Sequence, residues 1–414
     1  MKLVHADAIV LGDRATLRDG AVVLDENGTV CDVGPAVEVR ARSTGAEVER
    51  VRGVVLPGLV NAHTHVELSA LAGKVRAGGG FVRWADELIA LRAELEEDEV
   101  AAAIGRAVTE LDAGGTIAVG DVTNTLGAVA PLAAAGISGA IFHEVFGIVR
   151  ASAMTRVEAL RAEVGERLGA WPSRELSYAP SPHTLYTTHP DAVRALLGMS
   201  RERGVRASVH FLEHAAERRA IEHGDGDAPR WLASRVPGGA DFVWPKRPTL
   251  EYARSLGVVG PDVLLVHLTE ARVDELAELA RAEAPVVVCP RSNWTIEARV
   301  PPVAEMLAAG LEPALGTDSL ASSPSLDVLE EAAALVRLVP SVDADRALTM
   351  ATWNGARALG RADLGRIAMG TRPSIFAIDA PLGDGDAAGA HVLANTSAPR
   401  RWIARRGLHV SGVV

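Results

Sequence analysis

Between residues 56 and 364 the chain alternates two kinds of segment. Short, almost continuous apolar runs recur: "VVLPGLVNAHTH", "GTIAVGDVT", "ISGAIFHEVFG", "ELSYAPSPH", "VRASVHFLEH", "VLLVHLTE", "APVVVCPRSN" and "LEPALGTDS". Most are separated by Ala/Leu/Glu/Arg-rich stretches with helical spacing, the clearest being "FVRWADELIALRAELEEDEVAAAIGRAVTELDAG". Apolar strands alternating with helices predict a parallel sheet covered on its faces. Eight such units predict an α/β fold, a closed (β/α)8 TIM barrel over residues 56–364. The alternative is an open doubly wound sheet, but no Gly-x-Gly-x-x-Gly turn follows the first strand. The two ends read differently. Residues 1–55 and 365–414 carry short β-branched runs, among them "GAVVLDENGTVCDVG" with a hairpin turn at Asn27-Gly28, "GRIAMGTRPSIFAIDA" and "RRWIARRGLHVSG". Neither end has enough strands for a stable sheet. Both are therefore expected to join in one small β-sandwich.

Composition narrows the class. The 414 residues carry a formal charge of −11 and no basic block, which argues against nucleic acid as a partner. The only cysteines are Cys31 and Cys289, so neither a disulfide framework nor a Cys-rich zinc site is available. The start, "MKLVHADAIVLGDR", acquires Asp7 and Asp13 too early for a secretory signal, and no apolar stretch is long enough to span a membrane. The expectation is a cytoplasmic enzyme with a small-molecule substrate and no membrane partner. A homodimer is left open.

The chemistry-capable residues concentrate at the ends of the apolar runs. His63 and His65 end the first and Asp121 the second, while His143 and Glu144 lie late in the third. His183 ends the fourth, His210 and Glu213 the fifth, His267 the sixth, Ser292 and Asn293 the seventh, and Asp318 the eighth. All C-terminal strand ends of such a barrel open onto one face, where its active sites lie. Residues two apart on a strand point the same way, so His63 and His65 can aim into one mouth. Three imidazoles and a carboxylate (His63, His65, His210 and Asp318) make a set for one divalent transition metal. Zinc suits it best, and iron or manganese are also admitted. A metal held there would lower the pKa of a bound water towards neutrality.

Taken in order, "PGLVNAHTH", "SPHTLYT", "HFLEH", "VHLTE", "CPRSN", "GTDSLAS" and "ATWNGARALG" resemble the amidohydrolase superfamily, in its mononuclear aminohydrolase (deaminase) branch. The resemblance covers nearly the whole chain. It implies that His63, His65, His210 and Asp318 are the metal ligands, that Glu213 shuttles a proton, that His267 orients the attacking water, and that His183 contacts substrate. Binuclear relatives bridge two metals with a carbamylated lysine at the end of strand four. Here that strand reads "ELSYAPSPH" and the only lysines are Lys2, Lys74 and Lys246, so one metal is expected. Pro373-Ser374 stands where relatives usually show an Ala-Asp pair, a departure confined to the chain end.

The implied reaction is hydrolytic removal of an exocyclic amine from a heterocycle, with Asp318 as base and Glu213 as proton donor to the ring nitrogen. "NAHTHVELS", the "GGGFVRW" segment and "CPRSN" are similar to those of bacterial aminodeoxyfutalosine deaminases of menaquinone biosynthesis, with adenosine-type deaminases nearby. Competing readings are a guanine, pterin or cytosine deaminase, and an amidase or chlorohydrolase. More remote are a zinc peptidase through the His-x-x-Glu-His of "HFLEH" and a non-catalytic metal-binding barrel. Further substrate contacts are expected from Glu67, Phe81, Trp84, Ser292 and Asn293, with "RAGGGFVRW" a candidate lid.

Overall fold

A computed structural model describes residues 1–406; residues 407–414, the tail of the β-rich C-terminal stretch and including His409, lie outside the described residues. The N-terminal segment folds as four strands: β1 (Lys2–Val10), β2 (Thr16–Leu24), β3 (Val30–Pro35) and β4 (Glu47–Pro57). Eight parallel strands follow: β5 (Leu59–Thr64), β6 (Thr116–Thr123), β7 (Ser138–Val145), β8 (Leu176–Pro182), β9 (Ala207–Phe211), β10 (Val263–His267), β11 (Val286–Val288) and β12 (Ala314–Leu315). The chain closes with β13 (Ile375–Ile378) and β14 (Arg400–Ala404).

The two ends meet in one six-stranded sheet of order β14-β13-β4-β1-β2-β3. β4 lies inside it, parallel to β1 and antiparallel to β13, with Pro57 opposite Ile375 and Val54 opposite Ile378. Val54, Leu56, Phe376 and Ile378 are all buried there.

The eight parallel strands form two four-stranded sheets, β5-β6-β7-β8 and β9-β10-β11-β12. Their strands are buried along almost their whole length, which is why the sequence shows continuous apolar runs in place of alternation. Backbone bonds connect the two sheets at both sides: His210 N–H donates to His183 O (3.0 Å), and Asp318 N–H to His63 O (3.0 Å). β11 is shorter than its apolar run, because Pro290 opens a helix, Pro290–Glu297, directly after Cys289. Ser292 and Asn293 therefore sit in a helical first turn, a correction to their expected place at a strand end.

Close backbone packing near the mouth depends on Gly316. A Cβ there would meet the Cβ, O and N of His63 at 2.7–2.8 Å. Gly316→Ala is expected to lose about 1–3 kcal/mol of stability, the usual cost of overpacking. The denaturant midpoint checks this; an unchanged midpoint would mean that β5 yields freely.

Candidate active site

The strand ends deliver the histidines to one place. His63 ends β5 fully buried, and His65 follows at the start of a short 3-10 turn, Val66–Leu71. His65 Nε2 lies 3.2 Å from His210 Nε2, and Asp318 Oδ1 is 3.7 Å from His63 Nε2 and 3.5 Å from His65 Nε2. One ligand atom from each of His63, His65 and Asp318 lies within 4.8 Å of the other two, and the same holds for His63, His210 and His267. Both ring nitrogens of His63 and Nε2 of His267 are buried without a hydrogen-bond partner. Orphaned buried nitrogens are costly unless something else engages them. A divalent cation taken by one His63 nitrogen, with His65, His210 and the Asp318 carboxylate, engages the His63 ring, and the donor set suits zinc. The residues fit the group.

Electrostatics agree. Burial lowers the pKa of His65, and lowers that of His210 much further with help from neighbouring imidazoles; both rings are neutral at pH 7 and free to ligate. Burial works to raise the Asp318 carboxyl, but the adjacent His63 and the other surrounding histidines overcome it and hold the group well below its ordinary range. Ser292 Oγ (2.6 Å) and Ser322 Oγ (3.1 Å) both donate to Asp318 Oδ2, leaving Oδ1 facing the histidines. Ser322 was missed in the sequence. Its place four residues after Asp318 in a serine-rich turn is the signal that could have found it. Asp318 itself (φ 58°) and His267 (φ 80°) both have left-handed backbone, strain of the kind that accumulates at functional sites.

Glu213 and His267 face each other, with Oε1 and Nε2 3.6 Å apart. Asn293 Nδ2 donates to His267 Nδ1 (3.3 Å), which puts the ring's own proton on Nε2. Burial drives the His267 pKa down to about 3, so the ring is neutral. Burial, together with the Asp318, Glu217, Glu297 and Glu144 carboxylates, pushes the Glu213 carboxyl well above its usual range. The turn carrying it is held by Glu217, whose carboxylate accepts from Leu212 N (3.0 Å) and Glu213 N (2.8 Å). Sequence reading missed Glu217 as well.

"HFLEH" is not one helical face. His210 is on β9, Leu212 is left-handed (φ 52°), and His214 caps the helix Ala215–His223, accepting from Glu217 N through Nδ1. That geometry overturns the zinc-peptidase reading.

The remaining expected contacts divide. His183 lies just past β8, its Nδ1 2.6 Å from Thr187 Oγ1, with burial lowering its pKa to about 4. Phe81 stacks on His214 (centroids 4.0 Å, 12°), and Trp84 Nε1 donates to Ala321 O (3.4 Å). The Gly-rich segment before them is anchored: Gly78 N donates to Thr295 O, and Phe81 N to Glu297 Oε1. Glu67, an expected substrate contact, is buried and turned into the protein. Its carboxylate is occupied by Arg92, by the Thr123 and Thr125 hydroxyls, and by the Asn124 and Thr125 amides. Ser292 and Asn293 are likewise engaged inward, on Asp318 and His267.

Comparison with known proteins decides the family. The model of the amidohydrolase family matches residues 54–400. The chain belongs to the amidohydrolase family. Among curated amidohydrolase relatives, aminodeoxyfutalosine deaminase of Deinococcus radiodurans is 30% identical over 383 residues, covering 87% of this chain and 86% of the relative. A 5-methylthioadenosine/S-adenosylhomocysteine deaminase of Halobacterium salinarum is 29% identical over 384 residues, covering 90% and 83%. Helicobacter pylori aminofutalosine deaminase, solved with methylthio-coformycin, superposes with a TM-score of 0.85 over 97% of this chain and 98% of that one, at 22% identity. An adenosine deaminase from Xanthomonas campestris with bound zinc gives 0.76 over 95% and 88%, at 23% identity. At those identities the two structures speak for the amidohydrolase fold alone. Among the described residues, no helix is long and apolar enough to cross a membrane.

Proposed function

We propose that this amidohydrolase hydrolytically deaminates a 6-aminopurine nucleoside to its 6-oxo product and ammonia, with aminodeoxyfutalosine the leading substrate. The observation that carries the reading is the buried pair of acids, Glu213 and Asp318, driven to opposite protonation states in one mouth. The relatives support the substrate class, since they are deaminases of aminodeoxyfutalosine and of 5-methylthioadenosine or S-adenosylhomocysteine.

His63, His65, His210 and Asp318 would hold one divalent metal, zinc by the neutral-nitrogen-plus-carboxylate chemistry of the set. When bound, such a metal supplies Lewis acidity that makes water nucleophilic at neutral pH. The protein's own groups do the rest. Glu213, uncharged, donates a proton to the ring nitrogen beside the reacting carbon and relieves the charge that builds there. Asp318, ionised and pinned by Ser292 and Ser322, takes the proton of the attacking water. His267 Nε2–H hydrogen-bonds that water, its tautomer set by Asn293. The water oxygen bonds to the carbon, the C–N bond breaks, and the amine leaves as ammonia after a second proton transfer.

The same reading takes the two parallel sheets as one closed (β/α)8 barrel over residues 56–364, supported by the backbone bonds at both junctions and the isolated Thr64–Asp318 bridge. It takes the six-stranded sheet as the small β-sandwich domain of residues 1–55 and 365–414, and the enzyme as cytoplasmic.

A panel tests the function. Metal-replete enzyme is expected to release ammonia from 6-aminopurine nucleosides, with the ultraviolet change of 6-amino to 6-oxo, at least about tenfold faster than from guanine, a pterin or cytosine. One extra well-placed contact is worth that much. Faster turnover of guanine or a pterin would overturn the substrate class.

A further inference from the structure

The mechanism above leaves Glu144, a buried acid of the mouth, without a role. Glu144 is on β7, next to His143 but facing the other way. His143 Nδ1 lies 2.7 Å from the Tyr178 hydroxyl, whereas the Glu144 carboxylate lies with ring nitrogens of His183 and His210, all within 4.8 Å of one another. Its side chain is only 9% exposed.

One carboxylate oxygen is fixed from behind. Arg92 donates to Asn124 Oδ1 (3.1 Å), so the amide nitrogen of Asn124 must face Glu144. That nitrogen donates to Glu144 O (3.1 Å) and Oε2 (3.3 Å). Arg92 is itself held by Glu67 (2.8 Å), which gives the inward turn of Glu67 a purpose. The other oxygen, Oε1, is buried with no donor. His210 Nδ1 is 3.5 Å from it but lies closer, at 3.2 Å, to His183 O, which takes its proton. A bound cation does not explain Oε1, because the cluster would need His210 Nδ1 as a ligand and that nitrogen is already protonated towards His183 O. What is missing is a neutral hydrogen-bond donor.

His183 is the second half of the arrangement. Its Nδ1 is paired with Thr187 Oγ1, so Nε2 is the nitrogen left for the mouth. An acceptor-only carboxylate oxygen beside a neutral imidazole nitrogen matches two adjacent hydroxyls, one donating to the carboxylate and its neighbour bonding the ring. Glu144 lies on β7 and His183 just past β8, whereas Glu213 follows β9 and His267 ends β10, so the two pairs stand at successive strand ends of the mouth.

We infer that Glu144, with His183, binds the vicinal hydroxyls of the substrate's sugar and makes Glu144 a specificity-determining residue. The inference rests on the nucleoside reading of the site, and the test separates the two.

The probes are adenosine and 5′-methylthioadenosine, each against its 2′,3′-dideoxy counterpart, with the metal-replete full chain and its Glu144→Gln and Glu144→Ala variants. A charge-assisted hydrogen bond is worth about 10–100-fold. Wild type is expected to prefer the ribonucleoside by that factor in kcat/KM, and in Glu144→Gln the preference should collapse towards unity through KM. Metal content should stay at the wild-type value. Equal losses on both members of a pair, or a fall in metal content that accounts for the loss, would make Glu144 a support for His210 and overturn the inference; Glu144→Gln, isosteric, guards against a folding failure in Glu144→Ala. Wild type that deaminates both members equally well overturns the inference alone. Wild type that deaminates neither overturns the functional reading and this one with it.

Discussion

Glu213→Gln is expected to fold normally, keep its metal and lose turnover by about 10²–10⁴-fold, the range contributed by a positioned acid or base. The substitution preserves volume, and the turn that carries residue 213 is held through its backbone by Glu217, so the amide stands where the acid stood. What disappears is the proton. Burial and four neighbouring carboxylates keep Glu213 protonated in the wild type, and an amide has no proton of that acidity to give. The loss should fall on kcat more than on KM, since the transfer matters only as the ring nitrogen becomes basic. Steady-state kinetics with metal analysis on the same sample checks this. Near-normal deamination by the variant would remove Glu213 from the mechanism.

Asp318→Asn is expected to be the more severe change, with metal content falling well below one per chain. Turnover should fall on the order of 10⁴-fold or more, as when one member of a catalytic unit is removed. Asparagine isolates the charge well, because it tolerates the left-handed backbone at this position and its carbonyl can still accept from Ser292 and Ser322. The negative charge facing His63 and His65 is what is lost. Wild type stripped by a chelator should show the same inactivity and recover with zinc, whereas the variant should not. Elemental analysis finding full metal in an active Asp318→Asn protein would exclude Asp318 as both ligand and base; two tightly bound metals per wild-type chain would exclude the single-metal site.

Much of this was legible in the residues and some was not, for a physical reason. Apolar runs such as "GTIAVGDVT" and "ISGAIFHEVFG" became β6 and β7 because strands buried on both faces have to be continuously apolar, and that shows in a single sequence. His63, His65, His210, His267 and Asp318 converge because strand ends of a parallel sheet share one edge, which follows from topology alone. The roles of Ser292, Asn293 and Glu67 did not follow. Each is decided by a partner 25 or more residues away — Asp318, His267 and Arg92 — and periodicity carries no information about such pairings. Glu144 was noticed at its strand end, yet its orphaned oxygen becomes visible only once Asn124 and His183 are in place around it.

The placement of β4 between β1 and β13 has a consequence for how the chain is made. About 320 residues separate Pro57 from its partner Ile375. At roughly 5–20 residues per second, a ribosome exposes residues 54–57 of β4 for roughly 15–60 s before that partner is synthesised. Throughout that interval Val54 and Leu56 border an open, apolar sheet edge, the kind of surface on which neighbouring nascent chains pair. Nascent-chain yield in the cell should therefore depend on chaperone capture of the N-terminal segment, and messages truncated before residue 375 should yield insoluble product even though every residue named in the catalytic proposal has already been translated.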